Sequence, residues 1–319
     1  MKNNLEKPDI DLVYLWVDGS DPVWLAKKNA FIGNSQENTA INCKGRYANN
    51  NELKYSLRSV EKYVPWIHKI FIVTDEQTPD WIDTANPKIK IVDIREILPE
   101  SALPCYNSCV IEHRLYKIDG LSERFLYAND DMFINKPVLP DAFFAEDGFP
   151  VIRLHWKPFR RLRWSFYRER IRRKPLLPYS RQIVNASELV KKRYGIYYNG
   201  MPHHNIDAYL KSDCQKIVEK IFKNEIEAGF ANHMRSYNDI QRIIYLYVAL
   251  AEKRGHLRYV SRKESLCVNI FSERDYQKLK KYNPTLFCLN DGERVDDNHR
   301  IELKAWLDNY FPEKSSFEK

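Results

Sequence analysis

Two adjacent carboxylates interrupt an apolar stretch near the middle of the chain. The apolar run that begins at Phe125 ends in Asn129, Asp130 and Asp131, and apolar residues resume at Met132. A buried strand that opens into a site at its C-terminal end shows this pattern. Neighbouring carboxylates repel each other unless a cation, a proton or a basic group offsets their charge. A divalent metal ion that holds a phosphate is the simplest interpretation, since Mg²⁺ and Mn²⁺ prefer hard oxygen ligands. A solvated turn is the alternative.

The first part of the chain alternates between strand-like and helical patterns. The predicted strands are residues 10–17, 69–74, 89–93 and 124–129, and the predicted helices are residues 22–31, 50–63 and 111–118. Asp21 suits the N-cap of the first helix and Pro22 its first position, and a polar loop is predicted at residues 33–45. This alternation favours an α/β fold with a mostly parallel sheet flanked by helices.

Carboxylates follow several of these predicted strands. Asp18 and Asp21 follow the first strand, Asp75 follows the second, and Asp130 and Asp131 follow the fourth. In a doubly wound sheet the carboxyl ends of the strands meet at one edge, which is where ligands bind. The arrangement therefore suits a nucleotide-sugar bound together with a metal ion.

The pattern changes beyond residue 156. Helices are predicted near residues 186–194, 206–222, 238–253 and 300–310, and short apolar runs at residues 256–260 and 285–289 indicate a return to the sheet. We therefore divide the chain into a nucleotide-sugar-binding α/β core (residues 1–156), a basic segment with a helical elaboration (157–255), and a return to the core with a C-terminal helix (256–319). Together they are expected to form one catalytic unit.

The composition is that of a folded globular protein. Of the 319 residues, 44% are hydrophobic and 13% aromatic, which excludes an intrinsically disordered chain. No apolar run is long enough to span a membrane and no N-terminal secretory segment is recognisable, so we expect a cytoplasmic protein. The six cysteines lack the paired spacing of a zinc site and are expected to be free thiols. They are Cys43, Cys105, Cys109, Cys214, Cys267 and Cys288.

The net charge of +8 is not evenly spread along the chain. Residues 157–174 concentrate basic side chains among aromatic ones, which suits a polyanion or an anionic membrane surface. One interpretation is peripheral contact with the inner face of a membrane, and a solvated basic helix is the simpler alternative. Nucleic acid is a third candidate, but clustered carboxylates at the strand ends would repel its phosphates. Nucleic acid is therefore not expected as a partner.

Four regions of the chain resemble the Stealth family of sugar-phosphate transferases, in the family's order. The first is residues 11–22 (DLVYLWVDGSDP), and the second runs from residues 46–60 (RYANNNELKYSLRSV) through 63–67, 72–75, Asn107 and Glu112 to 129–131. The third comprises residues 201–203 (MPH) and 235–240 (RSYNDI), and the fourth residues 286–291 (LFCLND) with 311–318. One departure is visible: Ala48 and Asn49 stand where family members commonly carry Arg and Asp.

The resemblance implies a specific reaction. Members of the family have a nucleotide-sugar domain similar to that of GT-A glycosyltransferases. They transfer a sugar-1-phosphate from a UDP-sugar to a sugar hydroxyl, so that a phosphodiester forms and UMP leaves. The expected enzyme is thus a hexose-1-phosphate transferase, with N-acetylhexosamine-1-phosphate as the expected group, a glycan acceptor, and Mg²⁺ or Mn²⁺ as cofactor. It would act in the synthesis of capsular or other cell-surface polysaccharide. The alternatives are a GT-A glycosyltransferase that releases UDP and a basic membrane- or nucleic-acid-binding protein.

The resemblance also implies site residues. The residues that fall on the family's catalytic positions are Glu112, Asp131, His203 and Arg235. Those expected to bind the donor are Trp16, Asp18, Gly19, Ser20, Asp21, Arg58, Asp75 and Asn107. Those expected to bind the metal are Asp130, Asp131, Asn290 and Asp291.

Roles for the catalytic set follow from side-chain chemistry. The planar guanidinium of Arg235 can bind two phosphate oxygens and stays charged. Asp131 or Glu112 is the expected general base, and His203 is expected to contact the phosphate or to serve as the alternative base. The loop 18–21 is expected to hold the uridine or the diphosphate through N–H groups at a helix N-terminus.

Overall fold

The protein has an α/β fold. This computed structural model describes residues 8–33 and 44–319, so Cys43 and most of the predicted loop 33–45 lie outside the described residues. The strands are β1 (Ile10–Leu15), β2 (Ile70–Thr74), β3 (Ile89–Asp93), β4 (Arg124–Asn129), β5 (Met132–Ile134), β6 (Val151–His155), β7 (Met201–Pro202), β8 (Asp207–Leu210), β9 (His256–Tyr259), β10 (Ser265–Asn269) and β11 (Leu286–Asn290). The α-helices are α1 (Pro22–Ile32), α2 (Glu52–Tyr63), α3 (Ile94–Ile97), α4 (Ser108–Glu112), α5 (Pro178–Tyr194), α6 (Lys211–Lys216), α7 (Lys223–Ala228), α8 (Ile243–Ala251), α9 (Glu273–Tyr282) and α10 (Asp297–Tyr310).

The central sheet has the strand order β3-β2-β1-β4-β8. Its first four strands are parallel, with Tyr14 of β1 opposite Ile72 of β2 and Ala128 of β4, and β8 closes the β4 edge in the antiparallel direction. The parallel strands read as continuous apolar runs because both of their faces are covered. The predicted mostly parallel sheet flanked by helices is confirmed.

Helices cover both faces of this sheet. Leu53 and Leu57 of α2 pack against Leu12 and Ile72 on one face. On the other face the core contains Val13 and Tyr127 of the sheet with residues of α4, α5 and α8. This two-sided burial fixes the register of the sheet and leaves its carboxyl edge open for a site.

Two smaller sheets lie beside the central one. Their strand orders are β10-β11-β5 and β7-β6-β9. The runs predicted at residues 256–260 and 285–289 are therefore strands, as expected, but the expectation that they return to the central sheet is wrong. They pair instead with β6 and with β5, because β8 already occupies the free edge of β4.

Helix predictions failed where a strand or a tight turn intervenes. The helix predicted at residues 206–222 begins as β8, because Tyr209 pairs with Phe125 of β4, and becomes helical only from Lys211. The helix predicted at residues 111–118 consists of the end of α4 and a short 3₁₀ turn at Leu115–Lys117. Helix α1 begins as predicted, since the Asp21 side chain accepts a hydrogen bond from the Trp24 N–H at 2.8 Å.

The C-terminal residues are fastened to helix α2. Arg58 donates to both carboxylate oxygens of Glu318 at 2.7 and 2.8 Å and to the Phe311 carbonyl at 2.6 Å. The side chains of Arg58 and Glu318 are 8% and 2% exposed. Arg58 was expected to bind the donor, but its guanidinium is committed to this ion pair and does not line the cavity described below.

Replacing Arg58 by Met should lower the free energy of unfolding by about 2 kcal/mol, because a buried carboxylate loses two charge-assisted hydrogen bonds and keeps only a 3.5 Å contact with Lys54 and the bonds from Ser315. Chemical denaturation measures the change. The matched control is Lys62→Met on the same helix, which breaks an exposed contact with Glu313 at 3.5 Å and should cost less than about 1 kcal/mol. Equal effects in the two variants would contradict the structural role assigned to Arg58.

Candidate active site

A cavity of about 450 Å³ opens at the carboxyl edge of the central sheet. Trp16 follows β1, Asp75 follows β2, and Asp130 and Asp131 follow β4. The end of β11 adds Asn290 and Asp291 from the neighbouring sheet. Of the strand-end carboxylates that the sequence singled out, Asp75, Asp130 and Asp131 therefore meet around one space, whereas Asp18 and Asp21 do not line it.

Three carboxylates form an acidic cluster in this cavity: Glu52, Asp130 and Asp131. Burial raises the pKa of Glu52 to about 7, and the charge of Asp131 adds to the effect. Burial raises the pKa of Asp131 to about 6. Burial and then the charges of Glu52 and Asp131 raise the pKa of Asp130 well above its usual range. We did not predict Glu52; its place at the start of α2, directly after Asn50 and Asn51, was the available signal.

Asp131 has one oxygen free for chemistry. Its Oδ2 accepts a hydrogen bond from the Cys288 thiol at 3.2 Å. Its Oδ1 is buried and has no hydrogen-bond partner among the described residues. A buried carboxylate oxygen without a partner is costly, and a cation or a substrate hydroxyl at this position would satisfy it.

The two other predicted metal ligands are already engaged. Both oxygens of Asp291 accept hydrogen bonds from Arg300, at 2.9 and 3.2 Å, so that its charge is offset within the protein. The side-chain amide of Asn290 donates to Asn269 at 3.2 Å, which leaves the Asn290 amide oxygen as the donor atom for an ion.

Two arginines and a glutamate also line the cavity. Arg235 donates to the Ser108 hydroxyl at 2.8 Å, and its buried Nε has no partner among the described residues. Arg242 lies over the Tyr127 ring at 4.6 Å and contacts Glu112 at 3.5 Å. Burial raises the pKa of Glu112, although Arg242 and Arg235 oppose the shift.

Arg242 was missed by the sequence analysis. It is buried between Glu112 and Asp207, with its Nη2 at 3.3 Å from Asp207, and its Nε also has no partner in the described part of the chain. Nothing in its local sequence distinguishes it from the other basic residues, because its partners come from α4 and β8.

Asn107 lies behind this wall and does not line the cavity. It is fully buried and caps α4 by accepting a hydrogen bond from the Cys109 N–H at 3.1 Å. Its amide nitrogen donates to the Asn232 carbonyl at 2.9 Å and to Asp239 at 3.1 Å. Asn107 thus fixes the loop that carries Arg235 to the helix that carries Glu112. We had expected Asn107 to contact the donor instead.

Of the two adjacent histidines, the structure brings His204 to the cavity wall. His203 is fully buried, and its ring nitrogens contact the Ser265 hydroxyl at 3.0 Å and Asp207 at 3.1 Å. His204 lines the cavity with a positive φ of 54°, and burial lowers its pKa to about 4. His203, the predicted catalytic histidine, does not line the cavity, and its catalytic role stays a prediction.

The loop after β1 stands beside the cavity. The Gly19 N–H donates to the Tyr47 carbonyl at 2.8 Å, and a Cβ at Gly19 would collide with Tyr47. Asp18 accepts hydrogen bonds from Ser20 at 2.6 Å and from Asn49 at 2.8 Å. Of the predicted donor-binding set, Trp16 and Asp75 line the cavity, while residues 18–21 support Tyr47, which also lines it.

Comparison with known proteins identifies the family. Conserved region 1 of the Stealth proteins matches residues 8–36, and conserved region 2 matches residues 46–152. A capsular polysaccharide phosphotransferase of Actinobacillus suis is 32% identical over 97% of this chain and 85% of its own length. The protein belongs to the Stealth family. The capsular polysaccharide phosphotransferase fcs1 of Haemophilus influenzae is 36% identical over 95% of this Stealth chain and 84% of its own.

Other similarities are limited in coverage or in identity. The exopolysaccharide phosphotransferase cps2G of Lactiplantibacillus plantarum is 48% identical, over 44% of this Stealth chain and 41% of its own length. The galactosyltransferase LgtC superposes with a TM-score of 0.46 and 12% identity, over 94% of this chain and 95% of that chain. The resemblance of the first two regions is confirmed, and that of the third and fourth regions stays a prediction.

The basic segment 157–174 of this Stealth protein contains a π-helix at Leu162–Ile171. Arg160 precedes it and is 2% exposed; it donates to the Ser187 hydroxyl at 2.8 Å and to the Tyr198 carbonyl at 2.7 Å. Arg160 is therefore a structural residue, while the π-helix itself has no buried side chain. No helix within the described ranges combines the length and the apolar composition that crossing a bilayer requires.

The acidic cluster should give this Stealth protein a distinctive pH dependence. The pKa of Glu52 rises on folding from 4.5 to about 7, so the folded state holds its proton more tightly than the unfolded state. The stabilisation is full below about pH 4.5 and is lost as the pH rises through about 7. In metal-free buffer, we compare the melting temperature of wild type with that of Glu52→Gln. The wild-type value minus the variant value should therefore decrease as the pH rises from about 5 to about 8.

Thermal scans of the two proteins at each pH measure this difference. Glu313→Gln is the matched control, because its side chain is 80% exposed, and it should show no such trend. A difference between wild type and Glu52→Gln that does not change with pH would show that the carboxylates are not coupled in this way.

Proposed function

We propose that this Stealth protein transfers a hexose-1-phosphate, with N-acetylhexosamine-1-phosphate as the expected group, from a UDP-sugar to a sugar hydroxyl. The reaction would serve capsular or cell-surface polysaccharide synthesis. The observation that supports this best is a cavity lined by three carboxylates together with Arg235 and Arg242. The full-length relatives of A. suis and H. influenzae, which are phosphotransferases by name, support the same reaction class.

The donor set of the acidic cluster fits a hard divalent ion. All three side chains offer carboxylate oxygens, and Asp131 Oδ1 is buried without a partner among the described residues. Asp130 and the Asn290 amide oxygen would hold Mg²⁺ or Mn²⁺, with Asp131 adjacent. Both oxygens of Glu52 already accept hydrogen bonds from Asn50, at 2.6 and 2.7 Å. When bound, such an ion would neutralise the oxygens of the diphosphate.

The protein's own residues supply the rest of the mechanism. The acceptor oxygen forms a bond to the β-phosphorus of the donor while the bond from that phosphorus to the bridging oxygen breaks and UMP leaves. The guanidinium groups of Arg235 and Arg242 would offset the charge on the phosphoryl oxygens. The proton of the acceptor hydroxyl would pass to Asp131, whose pKa of about 6 suits a general base near neutral pH. Glu112 is the alternative base, but Tyr127 and Arg242 already engage its Oε1.

Incubation with UDP-N-acetylglucosamine, or with other UDP-sugars, should release UMP when Mg²⁺ and a mixture of surface-glycan acceptors are present. The products can be resolved chromatographically as UMP or UDP. UMP that depends on acceptor identifies sugar-1-phosphate transfer and names the donor. UDP would mean ordinary glycosyl transfer and would overturn the proposal.

Variants of cavity residues test whether the transfer activity depends on this cavity. Asp131→Asn and Arg235→Lys should lower kcat by about 10²- to 10³-fold, because each removes a group that acts on the transition state. Arg254→Lys is the control, since Arg254 pairs with Asp213 at 2.9 Å away from the cavity wall, and it should retain activity. Full activity in Asp131→Asn would remove Asp131 from the mechanism.

We also propose that the π-helix Leu162–Ile171 contacts an anionic membrane surface. Leu162, Phe166 and Ile171 are 56%, 47% and 56% exposed, and exposed arginines lie between them. Apolar side chains that enter an interface while neighbouring cations meet anionic headgroups give this kind of binding. A polyanionic acceptor glycan would meet the same cations but would make less use of the apolar side chains.

The triple variant Arg163→Gln/Arg170→Gln/Arg173→Gln should bind vesicles of phosphatidylglycerol at least tenfold more weakly, at about 1 kcal/mol per charge. Co-sedimentation measures the binding. The control Lys192→Gln/Arg193→Gln/Arg274→Gln removes the same charge from other exposed positions and should bind as wild type does. Equal loss in both, or binding to neutral phosphatidylcholine vesicles alone, would contradict a specific electrostatic contact.

A further inference from the structure

We propose that Asp131, His204 and Cys288 form a site for a thiophilic divalent cation, with Zn²⁺ as the matching ion. One ligand atom from each side chain lies within 4.8 Å of the other two. This site is distinct from the all-oxygen set assigned above to Mg²⁺ or Mn²⁺, because it combines a sulfur, a nitrogen and an oxygen donor.

Three separate parts of the fold bring these side chains together. Asp131 lies in the turn between β4 and β5, Cys288 lies within β11, and His204 lies between β7 and β8. Strand β5 pairs with β11, with Met132 opposite Cys288, so the carboxylate and the thiol are neighbours by register. Cys288 is held within a paired strand and Asp131 directly precedes another, which favours a fixed geometry for these two ligands.

The geometry of His204 favours ligation. Its φ of 54° is uncommon for a residue other than glycine, so the surrounding structure holds its backbone in a costly conformation. Such strain is often found at functional sites. The His204 side chain also lines the cavity, so that its ring can reach a ligand bound there.

The donor set selects the ion. Thiolate and imidazole ligands suit Zn²⁺, which is bound by Cys, His and carboxylate in tetrahedral sites, whereas Mg²⁺ demands oxygen ligands in octahedral geometry. Three protein ligands leave the fourth tetrahedral position open to the cavity. On binding, the thiol proton of Cys288, which now points to Asp131 Oδ2 at 3.2 Å, would leave to solvent and the sulfur would bind the ion as thiolate.

The site shares Asp131 with the proposed reaction. A Zn²⁺ ion bound there would occupy the carboxylate that is proposed to accept the acceptor's proton, so that zinc would inhibit transfer. This consequence rests on the proposed function, whereas the binding of the ion does not. The cavity would thus have a site for Zn²⁺ beside the proposed site for Mg²⁺ or Mn²⁺, and the two sites would compete for Asp131.

Titration of the metal-free protein with Co²⁺ tests the site without any transfer reaction. Co²⁺ adopts zinc sites and is coloured, and a cobalt–thiolate bond adds a charge-transfer absorption in the near ultraviolet. We expect this absorption at one equivalent of Co²⁺, its displacement by Zn²⁺, and its loss in Cys288→Ser. Zinc affinity, measured by competition with a chromophoric chelator, should fall more than about tenfold in Cys288→Ser and in His204→Asn.

The variants are chosen so that a lost metal ligand can be distinguished from a misfolded protein. Asparagine tolerates a positive φ, so His204→Asn removes the ligand with the least change to the backbone. Cys214→Ser is the matched control, because Cys214 is also a buried free thiol but does not line the cavity, and it should keep the absorption. Co²⁺ binding without the thiolate band, or a band lost in Cys214→Ser and kept in Cys288→Ser, would overturn the site. A transfer assay that yields UDP would overturn the proposed function alone.

Discussion

The repulsion among Glu52, Asp130 and Asp131 is the constraint around which the site is built. The turn that carries Asp130 and Asp131 is also the corner at which the chain leaves the central sheet as β4 and enters the second sheet as β5. The fold therefore places buried like charges at a point it cannot alter without separating two sheets. Proton uptake or a bound cation is needed to make this corner stable, and either one links the state of the cavity to the integrity of the fold.

The arginines of the wall show how the same cavity tolerates buried positive charge. Arg242 is enclosed by Glu112, Asp207 and the face of the Tyr127 ring, so that it is neutralised from two directions. The charge of Arg242 is thus paired within the protein, while the Nε of Arg235 and one oxygen of Asp131 have no hydrogen-bond partner among the described residues. A ligand that brings both a cation and phosphate oxygens would satisfy both at once, which is the electrostatic logic of a metal-assisted phosphoryl transfer.

The sequence predicted the central strands well because strands buried on both faces are apolar along their whole length. It also predicted that Asp75, Asp130 and Asp131 would share one edge. It did not single out Arg242 or Glu52, and it did not show that His204 lines the cavity, since these features depend on contacts between segments distant in the chain. It failed for Arg58 as well, because resemblance marks a residue as important without showing that its partner is Glu318.

The ion pair between Arg58 and Glu318 has a consequence for the order in which parts of the fold become fixed during synthesis. Its partners are 260 residues apart, and α2, which Arg58 anchors, presents Glu52 to the cavity from its first turn. During translation, α2 emerges early but can reach its final anchorage only after Glu318 has left the ribosome. The final placement of Glu52, and with it the acidic cluster, therefore depends on a residue that is synthesised 260 positions after Arg58.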